Sequence, residues 1–527
     1  MTQIPIEGRF VKAINTPINA LYQSKTAKIL LLVSPLLLAA CATSAPPAQV
    51  AEQAASQWYT PQPRPVATPP ASAATAALPH QGSLVAMNQW WQSLGDPLLL
   101  ELISSAQAVS PNLTAAISRL QQARSASVAA GAALLPNVSA SATASRGVPQ
   151  LSIPAIPLAT TSQAGLQASW ELDLWGGNRA ARNAALARVD GSAALWHEAR
   201  VSVAAEVANT YLTLRSCEQL LAVAKEDVAS RSESSRLTGL TADAGFTAPA
   251  NAALARASSA QGQNNLILQR TQCDMLTKAL VALTAMEEPA LRQKMTVAGI
   301  FNSNDAIKSE ANTATAVSTP FTPVPSVPAQ LLAQRPDVFA AQQEVAAASG
   351  EVGSAQAARY PRLSLSGSIA AASLKTAGIS TDGTTWSVGP LALTLPLFDG
   401  GQRAAAVDVA NARYDDAVAS YRAKVRNAVR EVEEALLNLQ STAERNDAAT
   451  IATEGYSAAF KASEARYKSG LGSLAELEDT RRTALAAKTA LLNLQRERSA
   501  AWIALYRAVG GGWAPGENGP DKLAAAK

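Results

Sequence analysis

The chain contains the same long unit twice. Residues 136–179 and residues 361–403 each begin with a proline and end with the sequence Gly-Gly-x-Arg. The two prolines lie 361 − 136 = 225 residues apart and the two arginines 403 − 179 = 224. Further along, Gly245 and Gly470 are again 470 − 245 = 225 residues apart. A tandem repeat of this length restricts the fold more than any single motif, because both copies must adopt one architecture.

The N-terminus has the pattern of an export signal. Lys25 and Lys28 precede an apolar run from Ile29 to Leu38, which is too short to span a bilayer as a helix. The small residues that follow lead to Cys41 and resemble a bacterial lipobox, in which the cysteine is lipidated and becomes the first mature residue. We therefore predict a signal peptide over residues 1–40 and a covalent lipid on Cys41. The alternative is an ordinary signal peptide with an incidental cysteine.

Composition divides the rest of the chain. Residues 41–85 are rich in Ala, Pro, Ser and Thr and are predicted to form a flexible tether. The first repeat is assigned to residues 86–289 and the second to residues 329–510. Residues 290–328 between them are predicted to be an irregular linker or belt, and residues 511–527 a disordered tail.

Each repeat contains, after a first helix, two segments in which apolar and polar residues alternate. They cover residues 136–145, 165–174, 361–369 and about 386–398. This alternation predicts strands with one dry and one wet face, near the length of a tilted membrane strand. Four strands cannot close a barrel, which needs at least eight, whereas three chains supply 3 × 4 = 12. A soluble sheet is the alternative; in the barrel, the strand acids Glu171 and Asp173 are predicted to face the lumen.

After each Gly-Gly pair the hydrophobic period becomes helical. We predict helices from residue 178, over 249–283, over 402–469 and over 474–509, with a coiled-coil seam between Val407 and Leu439. The fold class is therefore mainly α with a small β part. A rod-like structural coiled coil is the alternative for the helices alone.

Two glycine turns join these helices in pairs, at Gly245 and at Gly470. Cys217 lies 245 − 217 = 28 residues before the first turn and Cys273 lies 273 − 245 = 28 after it. Antiparallel helices would bring the two cysteines level, and an exported chain reaches an oxidising compartment. We predict a Cys217–Cys273 disulfide; the alternative is two buried thiols.

Charge and motif content argue against several classes of function. The chain has 44 Lys and Arg, 40 Asp and Glu and only 2 His. The small net charge gives no nucleic-acid surface, and no catalytic motif or metal-binding pattern is found. We predict neither an enzyme nor any cofactor besides the lipid.

Three motifs carry a resemblance to a known family. Residues 90–97, residues 334–338 leading to 357–361, and residues 170–176 resemble motifs of the outer membrane efflux factors, the group of TolC, OprM and NodT-type lipoproteins. The similarity covers about residues 90–509. It implies a homotrimer in the outer membrane of a Gram-negative bacterium, with a 12-stranded transmembrane barrel continuous with a long periplasmic α-helical barrel.

The resemblance also implies partners and a function. A periplasmic adaptor and an inner-membrane pump of the RND, MFS or ABC class would complete a conduit, for which this chain is the exit duct for small molecules and drugs. The alternatives are a channel for type I protein secretion and a non-conducting structural lipoprotein.

The family closes its tube at the periplasmic helix turns. By position, Glu476 and Asp479 match acidic rings of the constriction, although Glu476 also fits a capping box with Ser473. Tyr467 matches a tip tyrosine. Gly472 and Asn251 depart from a known ion-pair lock, and hydrogen bonds of Asn251 with Tyr467 or its neighbours are predicted to replace it.

The Arg335-Pro336-Asp337 motif is interpreted as structural. Proline disfavours helix in the residue before it, and Asp337 is suited to cap the helix that follows.

Overall fold

A computed structural model describes residues 44–51, 91, 95–148, 158–296, 335–511 and 513. The predicted signal peptide and Cys41 lie outside these residues, as do most of the predicted tether and linker. The described chain divides into two compact units. The sheet unit comprises residues 44–48, 128–184 and 348–414, and the helical unit comprises the remainder.

The elements follow the order that the repeat predicts. In chain order they are α1 (Pro97–Val109), α2 (Pro111–Ala132), β1 (Asn137–Gly147), β2 (Ala159–Leu172), α3 (Gly177–Asp243), α4 (Pro249–Thr284), α5 (Pro336–Ala357), β3 (Arg362–Thr376), β4 (Ile379–Thr394), α6 (Gln402–Lys468) and α7 (Leu474–Ala508). The prediction of a mainly helical fold with a small β part is confirmed. None of the described helices is long and apolar enough to cross a bilayer.

The four strands form one antiparallel sheet in the order β1-β2-β3-β4. Its register places apolar residues opposite one another on a single face, which includes Val138, Leu166, Trp170, Leu363, Leu365, Ile369, Trp386, Val388, Leu391 and Leu393. The opposite face carries Ser, Thr and Gln side chains. The predicted dry and wet faces are therefore present, and in the single chain the apolar face is largely exposed.

A bulge keeps the apolar face continuous across β3 and β4. Val388 and Leu391 are three residues apart, so strict alternation would put them on opposite faces. The register shifts between Leu365 and Gly367, so that Leu365 pairs with Leu391 and Gly367 with Val388. The extra residue re-phases the strand and returns both side chains to one face.

Asp173 and Asp399 start the two longest helices in the same way. Asp173 accepts hydrogen bonds from the backbone N–H groups of Asn178 at 3.1 Å and Arg179 at 2.9 Å. Asp399 likewise accepts from the backbone N–H groups of Gly401 and Arg403. The prediction that Asp173 is a strand acid is wrong: it follows the end of β2, and its side chain is 10% exposed. The unpaired N–H groups of a helix start account for this role.

The core of the helical unit packs α1, α3, α4, α6 and α7 together. Its fully buried side chains include Leu99, Leu102, Tyr211, Leu280 and Leu436. The predicted seam on α6 is confirmed, since its members from Val407 to Leu439 are buried or half-buried. In the sheet unit, a Cβ on Gly350 would lie 2.9 Å from the carbonyl oxygen of Ala180, so small residues let α3 and α5 approach closely.

Several predicted boundaries are corrected. β4 ends at Thr394 and not near Phe398. Residues 288–296 are helical, with Leu291 buried, although the linker was expected to begin at residue 290. Trp513, predicted to lie in a disordered tail, is buried and packs edge-on against Phe339. Residues 44–47, predicted to be flexible tether, are docked on α5 and α6.

Candidate gating site

The turns that end α3 and α6 have one geometry. Gly245 and Gly470 both have a φ of +77°. The N–H of Phe246 donates to the carbonyl of Thr241, and that of Leu471 to the carbonyl of Arg466, each at 2.8 Å. This is the Schellman arrangement, which satisfies the last carbonyls of a helix and reverses the chain. Both glycines are therefore turn residues, as the sequence predicts.

Tyr467 joins two helices just before the second turn. Its hydroxyl forms a short hydrogen bond with the hydroxyl of Thr238 on α3, and Thr238 in turn donates to the carbonyl of Ser234 at 2.6 Å. The predicted bond between Asn251 and Tyr467 is wrong for the described chain, because the amide of Asn251 donates to Thr247 at 3.3 Å, within its own turn. Tyr467 finds its partner on α3 because the Thr238 hydroxyl is buried and adjacent.

The two predicted constriction acids each have a cationic neighbour. The N–H of Glu476 donates to the Ser473 hydroxyl at 3.1 Å, so the serine half of the capping box is formed. The carboxylate of Glu476 accepts from Arg466 at 2.9 Å. Asp479 accepts from Arg482 at 2.5 Å, and this pair is largely exposed. In the single chain, both acids lie on the surface of the first turns of α7.

Beneath the turns, a largely buried ionic network joins α3, α4 and α7, and so connects the two hairpins. Arg231 on α3 donates to Asp227 at 2.8 Å and to Glu478 on α7 at 3.1 Å. Ser258 on α4 also donates to Glu478, at 2.8 Å. Arg481 completes the network with a second ion pair to Glu478. Two guanidinium groups and two carboxylates thus compensate one another where access to water is limited.

Arg481 is the most buried member of this network, at 2% exposure. It donates to the hydroxyls of Ser230 at 3.1 Å and Ser234 at 2.9 Å, and its guanidinium lies 5.6 Å from the ring centre of Phe460 on α6. The role of Arg481 was not predicted from the sequence. The small hydroxyl residues at 230 and 234, one turn apart on α3, are a weak sign of a buried polar partner, but they do not identify it.

A second buried ion pair lies at the start of α5. Arg335 donates two hydrogen bonds to Asp337 at 2.9 Å each, one to Glu431 on α6 at 2.8 Å and one to the carbonyl of Ala508 at the end of α7 at 2.8 Å. Burial alone would raise the pKa of Asp337, but hydrogen bonds and charge from Arg335 outweigh it and hold this pKa below its usual value. These contacts agree with a structural role for the motif.

The structure brings Cys217 and Cys273 together as a disulfide, with their Cα atoms 5.6 Å apart. The bond joins α3 to α4 and closes a loop with a sequence separation of 56. It lies in the buried core cluster of the helical unit. Antiparallel pairing about Gly245 places the two cysteines level, as the equal spacing predicts.

Comparison with known proteins identifies the family. The model of the outer membrane efflux protein family matches residues 102–286 and, separately, residues 327–511. The chain therefore belongs to the outer membrane efflux protein family, a family of channels. It is an exit duct for efflux, located in the outer membrane.

Individual relatives agree with this assignment. The chain is 31% identical to the outer membrane protein OprJ of Pseudomonas aeruginosa, over 68% of this chain and 72% of OprJ. It is 30% identical to the pyoverdine export outer membrane protein OpmQ of Pseudomonas putida, over 77% and 84%. Among solved structures, the channel CmeC of Campylobacter jejuni shares the fold, with a TM-score of 0.74, 22% identity and coverage of 91% and 97%. The outer-membrane channel OprN matches with a TM-score of 0.69 at 25% identity, over 88% and 99%.

Proposed function

We propose that three copies of this chain form one efflux channel, in which the four strands of each copy build a 12-stranded barrel and the helices build a periplasmic tube. The observation that carries the proposal is the sheet itself. It has one continuous apolar face and two unpaired edges, β1 and β4. Open edges are not tolerated in lipid, and pairing the β1 edge of one copy with the β4 edge of the next removes them.

The two halves of the chain are proposed to be structural copies of each other. Two separate segments match the same family model. Asp173 and Asp399 occupy equivalent positions at the starts of α3 and α6, and Gly245 and Gly470 end these helices in the same way. In a trimer, this repeat supplies six equivalent helical hairpins around one axis.

We propose that the channel is gated at the helix turns near Tyr467. Its bond to Thr238 ties α6 to α3, so opening the tip by moving one hairpin past the other would require this bond to break. Glu476 and Asp479 are proposed to form carboxylate rings at the constriction. Since Arg466 and Arg482 lie against them, we expect cation selectivity weaker than that of unpaired acids. Glu171, exposed on β2, remains a proposed lumen acid.

Single-channel recordings in planar bilayers test the gate. Native mass spectrometry should first establish three chains per particle. We expect small, mainly closed currents from the native channel and longer openings from Tyr467→Phe, which lacks the bond to Thr238. Tyr456→Phe is the matched control, because Tyr456 lies on the same helix and is 49% exposed. Equal currents from both variants would contradict the gate, and a monomer by mass would contradict the channel.

The acidic rings have a test of their own. The double variant Glu476→Ala/Asp479→Ala should lose cation preference in ion-gradient reversal potentials. Glu434→Ala, an exposed acid of α6 paired with Arg430, serves as the control for general charge loss. An unchanged reversal potential in the double variant would remove these two acids from the constriction.

The proposed partners are a periplasmic adaptor and an inner-membrane pump of the RND, MFS or ABC class, with small molecules and drugs as cargo. The chain itself is proposed to be a passive, non-enzymatic duct, with a lipid on Cys41. Deleting its gene should raise the accumulation of a fluorescent dye in cells. Type I protein secretion is the competing function, and loss of an exported protein with normal dye efflux would favour it.

Lipidation has its own test. Labelled palmitate should be incorporated into the native chain and not into Cys41→Ser.

A further inference from the structure

The segment that follows the proposed lipidation site is seated on two helices of the sheet unit. The side-chain amide of Gln356 donates to the carbonyl oxygen of Ser44 at 3.2 Å, and the Ser349 hydroxyl donates to that of Pro46 at 2.5 Å. The Tyr414 hydroxyl donates to the carbonyl oxygen of Pro47 at 2.9 Å. Gln356 and Ser349 belong to α5 and Tyr414 to α6. Three side-chain donors from two helices thus bind one short stretch of backbone.

The receiving surface is shaped for an extended chain. Ser349, Gly353 and Gln356 have the spacing i, i+4 and i+7, which places them on one face of α5. A Cβ built on Gly353 would lie 3.4 Å from the Cβ of Ala45, so Ala45 rests on the helix where a side chain is absent. Pro46 and Pro47 favour an extended backbone without internal hydrogen bonds, and its carbonyl groups are therefore free to accept from the helices.

The seated segment has a direction. Pro46 binds Ser349, and Ser44 binds Gln356, which is one residue before the end of α5. Followed towards the N-terminus, the segment therefore runs along α5 towards the start of β3 at Arg362. Cys41 is three residues beyond Ser44, and three residues of extended chain reach at most about 10 Å.

We propose that residues 44–47 form a docking strap, which holds the lipid-bearing end of the chain beside the start of β3. The proposal rests on lipidation of Cys41, as proposed above. A free tether would allow the lipid to enter the membrane anywhere within its reach, whereas the strap fixes the entry point next to the sheet. Because it binds α5 and α6 together, it also ties the anchor to the helices that flank β3 and β4.

Cysteine cross-linking in the full-length chain, in isolated outer membranes, tests the seat. Ala45→Cys/Gly353→Cys should close an intrachain disulfide, seen as a mobility shift on a non-reducing gel and located by peptide mapping, because its Cβ separation is close to that of natural disulfides. Ala180→Cys/Gly353→Cys is the positive control, with a Cβ separation of 3.6 Å. Ala51→Cys/Gly353→Cys, beyond the strap, is the negative control.

The outcomes are distinct. Cross-linking of position 45 no greater than that of position 51 would overturn the docking strap. A cross-link between two chains would overturn it as well, by showing that the segment docks on a neighbour. Palmitate labelling of the same membranes measures lipidation separately. A seated strap without palmitate would refute anchoring at this site. The channel proposal would then still be tested by the conductance measurement.

Spin labelling measures whether the seat holds the segment still. A nitroxide on Ala45→Cys in reconstituted channels should show slow motion in its spectrum. Its collision rate with dissolved oxygen should be that of a site near the membrane surface. Adding Ser349→Ala, Gln356→Ala and Tyr414→Phe removes all three donors and should give at least a several-fold faster motion, while the oligomer is retained. Fast motion in the otherwise native chain would overturn the strap.

Discussion

At the scale of single residues, the Arg335–Asp337 pair shows how an apparent functional motif serves stability. Asp337→Asn keeps the shape but leaves the buried Arg335 with Glu431 as its one carboxylate, and breaking a buried pair costs about 3–5 kcal/mol. We expect a loss near the lower figure, because the amide oxygen still accepts one hydrogen bond. Chemical unfolding at pH 7 measures it.

The same substitution has a defined pH dependence. Since the pKa of Asp337 is lowered in the folded chain, its contribution is complete above about 3.9, the ordinary pKa of Asp, and is lost as pH falls through the lower folded pKa. The difference between native chain and variant should therefore shrink in strong acid. Glu434→Gln, in an exposed pair with Arg430, should cost less than about 1 kcal/mol at any pH. A constant difference at all pH values would contradict the argument.

At the scale of elements, the two turns depend on glycine for their backbone conformation. A Cβ on Gly470 would meet nothing within 4 Å, so the cost of Gly470→Ala is confined to its left-handed φ of +77°. We expect a destabilisation of about 1–2 kcal/mol in thermal unfolding. Gly455→Ala should have the opposite sign, because Gly455 is inside α6 with open space around it and alanine favours helix by about 1 kcal/mol. Losses in both variants would contradict this account.

The disulfide cross-links the two helices of the α3–α4 hairpin. Closing a loop of this length lowers the entropy of the unfolded chain, equivalent to about 4 kcal/mol by the chain-entropy relation. Cys217→Ala/Cys273→Ala should therefore unfold at lower denaturant, and reductant should shift the native chain but not the variant. Free thiols on both cysteines of the exported protein would show that this disulfide does not form.

The elements also show where sequence reasoning works. The start of α3 and both ends of α4, α6 and α7 were predicted to within about a residue, because long apolar periodicity is bounded by glycine turns and the Ser473 cap. The end of β4 was missed because alternation continues through Leu395 and Leu397, although Pro396 has no N–H to donate to a ladder. The outer halves of β3 and β4 are rich in Ala, Gly and Thr, which give little contrast between faces.

At the scale of the whole molecule, the two faces of the sheet predict which substitutions prevent assembly. Val388 lies on the apolar face and is 80% exposed in the single chain, whereas its neighbour Ser387 points to the polar face and lies against Ser368. In a membrane barrel, arginine on the lipid side costs about 2–4 kcal/mol near the midplane. Val388→Arg should reduce the amount of trimer in outer membranes, and Ser387→Arg should not. The reverse order would place the polar face towards lipid.

The contacts that sequence analysis missed all join residues far apart in the chain. The Arg231–Glu478 pair, the bond from Tyr467 to Thr238 and the strap on α5 have no local pattern, because their partners are fixed only when the helices pack. Asp173 was misread for a related reason: alternation continues for one residue past the strand into the cap of α3. Periodicity predicts which face is dry, but it does not predict the particular partner of a polar side chain.

The polar face of the sheet has a consequence for transport. Its side chains are mostly neutral hydroxyls and amides, among them Ser139, Gln163, Gln167, Ser364 and Ser387. A hydrogen bond between such a group and a solute has nearly the same free energy as the hydrogen bond that the solute forms with water. With this face turned inward, a molecule would partition between wall and water almost evenly, and its residence time would depend on its size more than on its chemistry.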